Sequence, residues 1–122
     1  IPTNQLPDIF ATSTISFFSV HEDASVNVTN KTYFVSNIWK QKLRLDGITH
    51  KLAAGTCTLQ LSVDGSTIGS TFSSSTTRAS VNMPTTIEID GTTTGRRLEL
   101  VVTNTSGANS LEVGIAAATL SV

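Results

Sequence analysis

The sequence predicts an all-β protein, because its composition, its hydrophobic alternation and its turn residues all favour strands. The 122 residues include 20 threonines and 15 serines. Threonine is β-branched and suits a pleated, half-exposed surface, whereas runs of Lys, Glu and Ala that would support long helices are missing. Short segments alternate between apolar and polar residues, and Asp-Gly pairs lie between several of them. We therefore expect an antiparallel two-sheet β-sandwich, jelly-roll-like, with about eight to nine strands.

The length predicts one domain, since 122 residues can bury about two-thirds of the unfolded surface without metals or disulfides. We expect an extended N-terminal arm at residues 1–11 and a single sandwich domain at residues 12–122. Pro2 and Pro7 keep the arm out of a central ladder. The arm also carries apolar side chains that should be covered, either by its own domain or by a neighbouring protein. They are Ile1, Leu6, Ile9 and Phe10.

The first strands are expected at residues 12–20, 26–28 and 33–35, where β-formers alternate with polar residues. His21, Glu22 and Asp23 lie between them. A metal site needs ligands that converge from several elements, and His50 is the second imidazole of the chain. We interpret this segment as a solvated turn.

Residues 39–45 predict a strand with two different faces. Trp39, Gln41, Leu43 and Leu45 occupy one face, and Lys40, Lys42 and Arg44 occupy the other. The three cations would stand about 7 Å apart, twice the strand rise. Two interpretations stay open: a solvated face that discourages edge pairing, or a strip that contacts an acidic protein surface or an anionic glycan.

Residues 57–63 form the clearest strand of the sequence, and Asp64-Gly65 after them predicts a tight hairpin. Cys57, Leu59, Leu61 and Val63 should face the core, and Thr58, Gln60 and Ser62 should not. The lone Cys57 cannot form an intramolecular disulfide and is expected to be an inert core thiol. Asp46-Gly47 and Asp90-Gly91 show the same turn chemistry.

The second half of the chain predicts weaker and then stronger strands. The Ser/Thr-rich residues 68–86 should form outer strands anchored by Phe72 and Val81, followed by a strand at residues 87–89 and a loop at 92–97. Strands at 98–103 and 111–122 should be joined by a turn at residues 104–109. Glu88, Glu99 and Glu112 should point outward, without the apolar surroundings that tune a catalytic carboxyl.

Charge and motifs exclude several functional classes. Eight basic and nine acidic residues give a net charge of −1, which is not the basic footprint of a nucleic-acid binder. No apolar run is long enough to span a membrane, and no leader resembles a signal peptide. No phosphate loop, Cys-x-x-Cys motif or Ser-His-Asp set is recognisable. We expect a protein that is not an enzyme, without catalytic, cofactor-binding or metal-binding residues.

Part of the sequence resembles a β-sandwich domain that is common in structural proteins of tailed-phage virions. The resemblance rests on LAAGTCTLQLSVDGSTIG at residues 52–69, RLELVVTNTSG at 97–107 and LEV at 111–113, and it covers about residues 38–122. These motifs are mostly strand and turn chemistry. The first 37 residues do not match it.

The resemblance implies a bacteriophage virion protein. The expected function is capsid decoration: a cement protein on the outer surface of the phage head that binds the major capsid protein as a homotrimer. The alternative is a receptor- or glycan-binding domain of a tail or head fibre, with a host surface glycan as ligand. Small residues at 116–118 would let another subunit approach. The expected protein-interaction residues are Ile1, Leu6, Ile9, Phe10, Lys40, Lys42 and Arg44.

Overall fold

The structure is a computed structural model, which describes residues 13–22, 27–83 and 87–120. Within these residues the chain forms strands and no helix, so the all-β prediction is confirmed. Seven strands make one antiparallel sheet. They are β1 Ser13–His21, β2 Lys31–Ile38, β3 Lys42–Val63, β4 Ser66–Ser74, β5 Ala79–Asn82, β6 Glu88–Asp90 and β7 Arg96–Leu120.

Two long strands, β3 and β7, form the spine of the sheet. They have 22 and 25 residues and pair with each other from Lys42 opposite Leu120 to Val63 opposite Leu98. The free side of β7 pairs with β1 and β2, and the free side of β3 pairs with β4, β5 and β6. Each end of the spine therefore carries its own set of short strands.

The spine bends in the middle, where the pairing shifts between Ala54 and Thr58. Gly55 has φ 74° and Gly107 has φ 58°, a backbone region that favours glycine. A Cβ atom on Gly55 would lie 2.3 Å from the carbonyl atoms of Gly107, so the two spine strands touch closely at this corner.

The corner divides the sheet into two halves. The terminal half comprises residues 42–52 of β3 and 111–120 of β7 with β1, β5 and β6. The hairpin half comprises residues 57–63 of β3 and 98–103 of β7 with β2 and β4. The rings of His50 and Phe72, one from each half, lie 5.1 Å apart. The halves thus face each other across the core.

Both halves supply the same hydrophobic core through period-two alternation. Cys57, Leu59, Leu61 and Val63 are buried, as predicted. From the terminal half come Leu43, Leu45, Ile48, Leu52, Leu111, Val113, Ile115 and Ala117. Because one continuous sheet encloses this core, the expectation of two separate sheets in a jelly-roll arrangement is not confirmed.

Two predicted turns are wrong, and both failures concern the spine. Asp46-Gly47 lies inside β3, where the pairing with β7 shifts by one residue between Leu45 and Gly47. Residues 104–109 lie inside β7 and carry the chain through the corner. In each case the strand continues, because the residues before and after the irregularity pair with the same neighbouring strand.

Other turn predictions are confirmed. Asp64 and Gly65 have φ values of 51° and 85° and connect β3 to β4 as a two-residue hairpin. The backbone N–H of Thr92 donates to Asp90 Oδ1 over 3.0 Å, which closes a turn after β6. The outer strands β4 and β5 occur where weak strands were expected.

The described residues between β1 and β2, which are Glu22 and residues 27–30, lie in no strand. Asn27 makes an isolated bridge with Asn109, and Val26 lies outside the described residues. Lys31 Nζ lies 3.0 Å from Glu22 Oε1, a contact that links the end of β1 to the start of β2.

Candidate functional site

The outer face of the terminal half contains two successive rows of small residues. In the first row, Phe17 pairs with Ala116, which also faces Gly47, and Gly47 faces Asn82. In the second row, Gly114 lies between Ser19 and Thr49, and Thr49 faces Ser80. The central positions of both rows, Ala116, Gly47, Gly114 and Thr49, carry side chains no larger than that of threonine. The middle of this face therefore lies below its edges.

The result is a depression of about 430 Å³, which we call the trough. Its floor is formed by Gly47, Gly114 and Ala116. Phe17 on β1 stands at one side, and residues 80–82 of β5 form the other. The side chain of Phe17 is 75% exposed. It therefore extends the exposed apolar surface of the trough at its rim. None of the described residues that line the trough is charged.

Ion pairs lie beyond both ends of the trough. Toward the chain termini, Lys42 Nζ lies 3.1 Å from Glu88 Oε2 and Arg44 Nε lies 2.8 Å from Asp46 Oδ1. Hydrogen bonding to Asp46 raises the pKa of Arg44. At the other end, Arg78 contacts Glu112 over 3.2 Å. The apolar surface is therefore confined to the middle of the face.

The row of three cations predicted from the sequence is only partly formed. Lys42 and Arg44 alternate with the buried Leu43 and Leu45, as expected. Lys40, however, lies in a turn before β3 with φ 58°, and its Nζ lies 4.9 Å from the ring centroid of Trp39. Both strand cations are neutralised by carboxylates, so the structure does not bring the three together as one positive strip.

The predicted arm residues Ile1, Leu6, Ile9 and Phe10 lie outside the described residues. Of the three small residues at 116–118, only Ala116 lines the trough. Ala117 belongs to the core, and Ala118 is also buried. A close approach by another molecule is therefore possible at Ala116 and not along all three positions.

The outer face of the hairpin half is filled by side chains that bind one another. The Arg97 guanidinium carbon lies 4.5 Å from the Phe34 ring centroid, and Arg97 Nε lies 2.9 Å from Glu99 Oε2. Ser62 Oγ donates to Glu99 Oε1 over 3.4 Å. Ser62 lies on the outward face, where the alternation placed it, and is buried under this cluster.

The interior holds a polar pair that the sequence did not reveal. His50 Nδ1 and Ser74 Oγ share a hydrogen bond of 2.8 Å, and both residues are buried. Burial lowers the pKa of His50, so the fold favours its neutral form. Burial also raises the pKa of the nearby Cys57 thiol, as expected for an unreactive core cysteine.

A second polar group, the hydroxyl of Tyr33, is buried near the Glu22 carboxylate. Burial, followed by the neighbouring Glu22 carboxylate, raises its pKa. Lys31 Nζ lies 4.4 Å from the ring centroid of Tyr33 and also contacts Glu22. These three residues join the start of β2 to the end of β1.

Two kinds of feature are absent from the described part of the chain, namely clusters of metal-ligating side chains and long apolar helices. No three His, Cys, Asp or Glu side chains within residues 13–22, 27–83 and 87–120 are grouped to hold a metal ion. Over the same residues there is no helix of the length and apolarity that a bilayer requires.

Sequence reasoning missed the trough, although a signal was present. Gly114 and Ala116 occupy outward positions of β7, where the alternation calls for polar or long side chains. Small residues at such positions, opposite Gly47 of a neighbouring strand, indicate a depression once the register is known. When the strand register is unknown, small residues at these positions indicate only a weaker strand.

Comparison with known proteins gives a weak structural likeness. No protein-family model matches the sequence, and neither does any curated protein. A structure of the T13 particle of IBDV has a TM-score of 0.46 and 16% identity, covering 89% of this chain and 31% of the viral chain. A structure of the infectious bursal disease virus Gx strain has a TM-score of 0.49 and 14% identity, covering 88% and 32%.

The chain spans about a third of the length of these two viral proteins. At such identities a structural likeness concerns the fold and does not transfer an activity. Function must therefore be argued from the surface of this chain.

Proposed function

We propose that this protein is a structural component of a bacteriophage virion: a capsid decoration, or cement, protein on the outer surface of the head. The observation that carries the proposal is the trough, an exposed apolar surface whose described lining residues are all uncharged. Such a surface suits contact with another protein. The resemblance of residues 38–122 to virion β-sandwich domains supports the same function.

The proposed partner is the major capsid protein, and the proposed assembly is a homotrimer. In this hypothesis the arm residues Ile1, Leu6, Ile9 and Phe10 contact the capsid. Leaving their side chains in water would cost about 25 cal/mol for each Å². Lys42 and Arg44 already have carboxylate partners, so they and Lys40 would steer the encounter more than hold the complex.

The test is cosedimentation with purified phage heads that lack decoration. We expect the intact protein to sediment alone as a trimer and to bind the heads. Deletion of residues 1–10 should abolish binding. Changing Lys40, Lys42 and Arg44 together to Ala should mainly reduce the salt dependence of binding, because screening acts on exposed charges. A monomer that ignores capsids would contradict the proposal.

A second candidate is the receptor- or glycan-binding domain of a phage fibre, and Trp39 favours it. The Trp39 side chain is 60% exposed beside Lys40, and sugar rings stack on exposed aromatic faces. Binding to host cells that is lost in Trp39→Ala and retained in Phe34→Ala, a second exposed aromatic at 47%, would decide for this alternative.

A further inference from the structure

The trough lies within reach of a segment of the same chain. Ser13, the first described residue, pairs with Leu120 at the terminal end of β7. Phe17 is four residues further along β1, or about 13 Å at the rise of a strand. The 12 residues before Ser13 span up to about 40 Å when extended. They can therefore turn back over the outer face and cover the whole trough.

The chemistry of this segment matches the surface. Residues 1–10 include four large apolar side chains and a single charged one, Asp8. The trough is apolar, and the part of the chain that the structure describes contributes no charged side chain to its lining. The ion pairs of Glu88 and Glu112 lie beyond its two ends. A nucleic acid or an anionic glycan would find no cation in the trough, whereas an apolar segment buries surface there without leaving a charge unpaired.

We propose that the trough is the docking site for residues 1–10 of its own chain. A tethered segment is present at an effective concentration in the millimolar range when its linker can span the distance. The same segment from another molecule has this advantage only in an assembled oligomer. In the free protein the arm is thus stored on its own domain. Docking of the arm adds a step to the proposed function, because any partner that binds residues 1–10 must first displace them from the trough.

The experiment is limited proteolysis of the full-length protein by chymotrypsin, with cleavage after Phe10 followed by mass spectrometry. Ala116→Glu places a charge on the floor of the trough and should release the arm. Cleavage at Phe10 should then become about tenfold faster or more, since protection scales with the closed population. Val101→Glu is the matched control, because it puts the same charge on β7 at a half-buried outward position of the hairpin half. It should leave cleavage at Phe10 unchanged.

A second variant separates docking from folding. Leu6→Asp changes none of the described residues, so faster cleavage at Phe10 in this variant reflects loss of docking. Equal cleavage rates in the wild type and in all three variants would overturn the proposal. Protection that is lost when dilution separates the copies would also overturn it, in favour of an arm exchanged between copies. Capsid binding is a separate measurement, so failure of either proposal leaves the other standing.

Discussion

The two halves of the sheet have the same interior and opposite exteriors. On the inside, both place alternating aliphatic side chains in one shared core. On the outside, the hairpin half is covered by Phe34, Arg97 and Glu99, which contact one another. The terminal half instead presents a low apolar floor beside the exposed Phe17.

This contrast shows that a depression in a sheet surface can arise where the outward side chains of neighbouring strands are small. Long outward side chains on neighbouring strands contact each other across the sheet and cover the backbone beneath them. Gly47, Gly114 and Ala116 cannot do this, so the backbone and the flanking Phe17 remain accessible. The difference between the halves, more than any single residue, is the reason why we propose binding at the terminal half.

The largest expected effect concerns the corner that separates the halves. In Gly55→Ala the new Cβ would meet the backbone of Gly107 at 2.3 Å. We expect a loss of about 2–6 kcal/mol from backbone strain and overpacking together. Gly65→Ala is the control, since its φ is also positive but no atom lies within 4 Å. It should cost about 1–2 kcal/mol. Equal losses in urea denaturation would show that the corner is not closely packed.

The next effect tests whether the two interiors are equivalent. Leu61 in the hairpin half and Leu45 in the terminal half are both buried. Each change to Ala should lower the free energy of unfolding by about 2–5 kcal/mol. Gln60→Ala should be near neutral, because the Gln60 side chain only donates to the Gly69 carbonyl at the surface. A Gln60 effect as large as that of Leu61 would contradict the strand assignment.

A smaller effect on the free energy of unfolding is expected from pH, through His50, whose ring contacts the other half of the sheet. Because burial lowers the folded-state pKa of His50 below its ordinary value of 6.5, the fold binds this proton less readily than the unfolded chain. The contribution of His50 to the free energy of unfolding therefore has its full value above about pH 6.5. Below that pH the contribution decreases, with a slope of at most about 1.4 kcal/mol per pH unit.

His50→Gln removes this titration and retains a polar partner for Ser74. Chemical denaturation between pH 7 and pH 5 should therefore show a smaller slope in the variant. An unchanged slope would mean that His50 does not titrate in this window. Glu22 and Asp90, whose pKa values are lowered from ordinary values of 4.5 and 3.8, contribute equally in the wild type and the variant, so their titration cancels in the comparison.

Much of the fold could be predicted because local signals were strong. Alternation placed Leu59 and Leu61 in the core, and Asp64-Gly65 identified a hairpin that requires no distant contact to form. The site was less predictable. Lys42 and Arg44 face outward as expected, but their carboxylate partners Glu88 and Asp46 became apparent only with the strand pairing.

The sequence by itself determined the all-β class, the inward faces of the strands and the hairpin at residues 64–65, since period-two burial and positive-φ turns are local properties. Only the tertiary structure decided that residues 46–47 and 104–109 continue their strands. A Gly- or Asn-containing segment can reverse a chain or bend it, and the outcome depends on whether the next residues find the same partner. Here β3 and β7 remain paired on both sides of the corner. That pairing brings Gly47, Gly114 and Ala116 together into the trough.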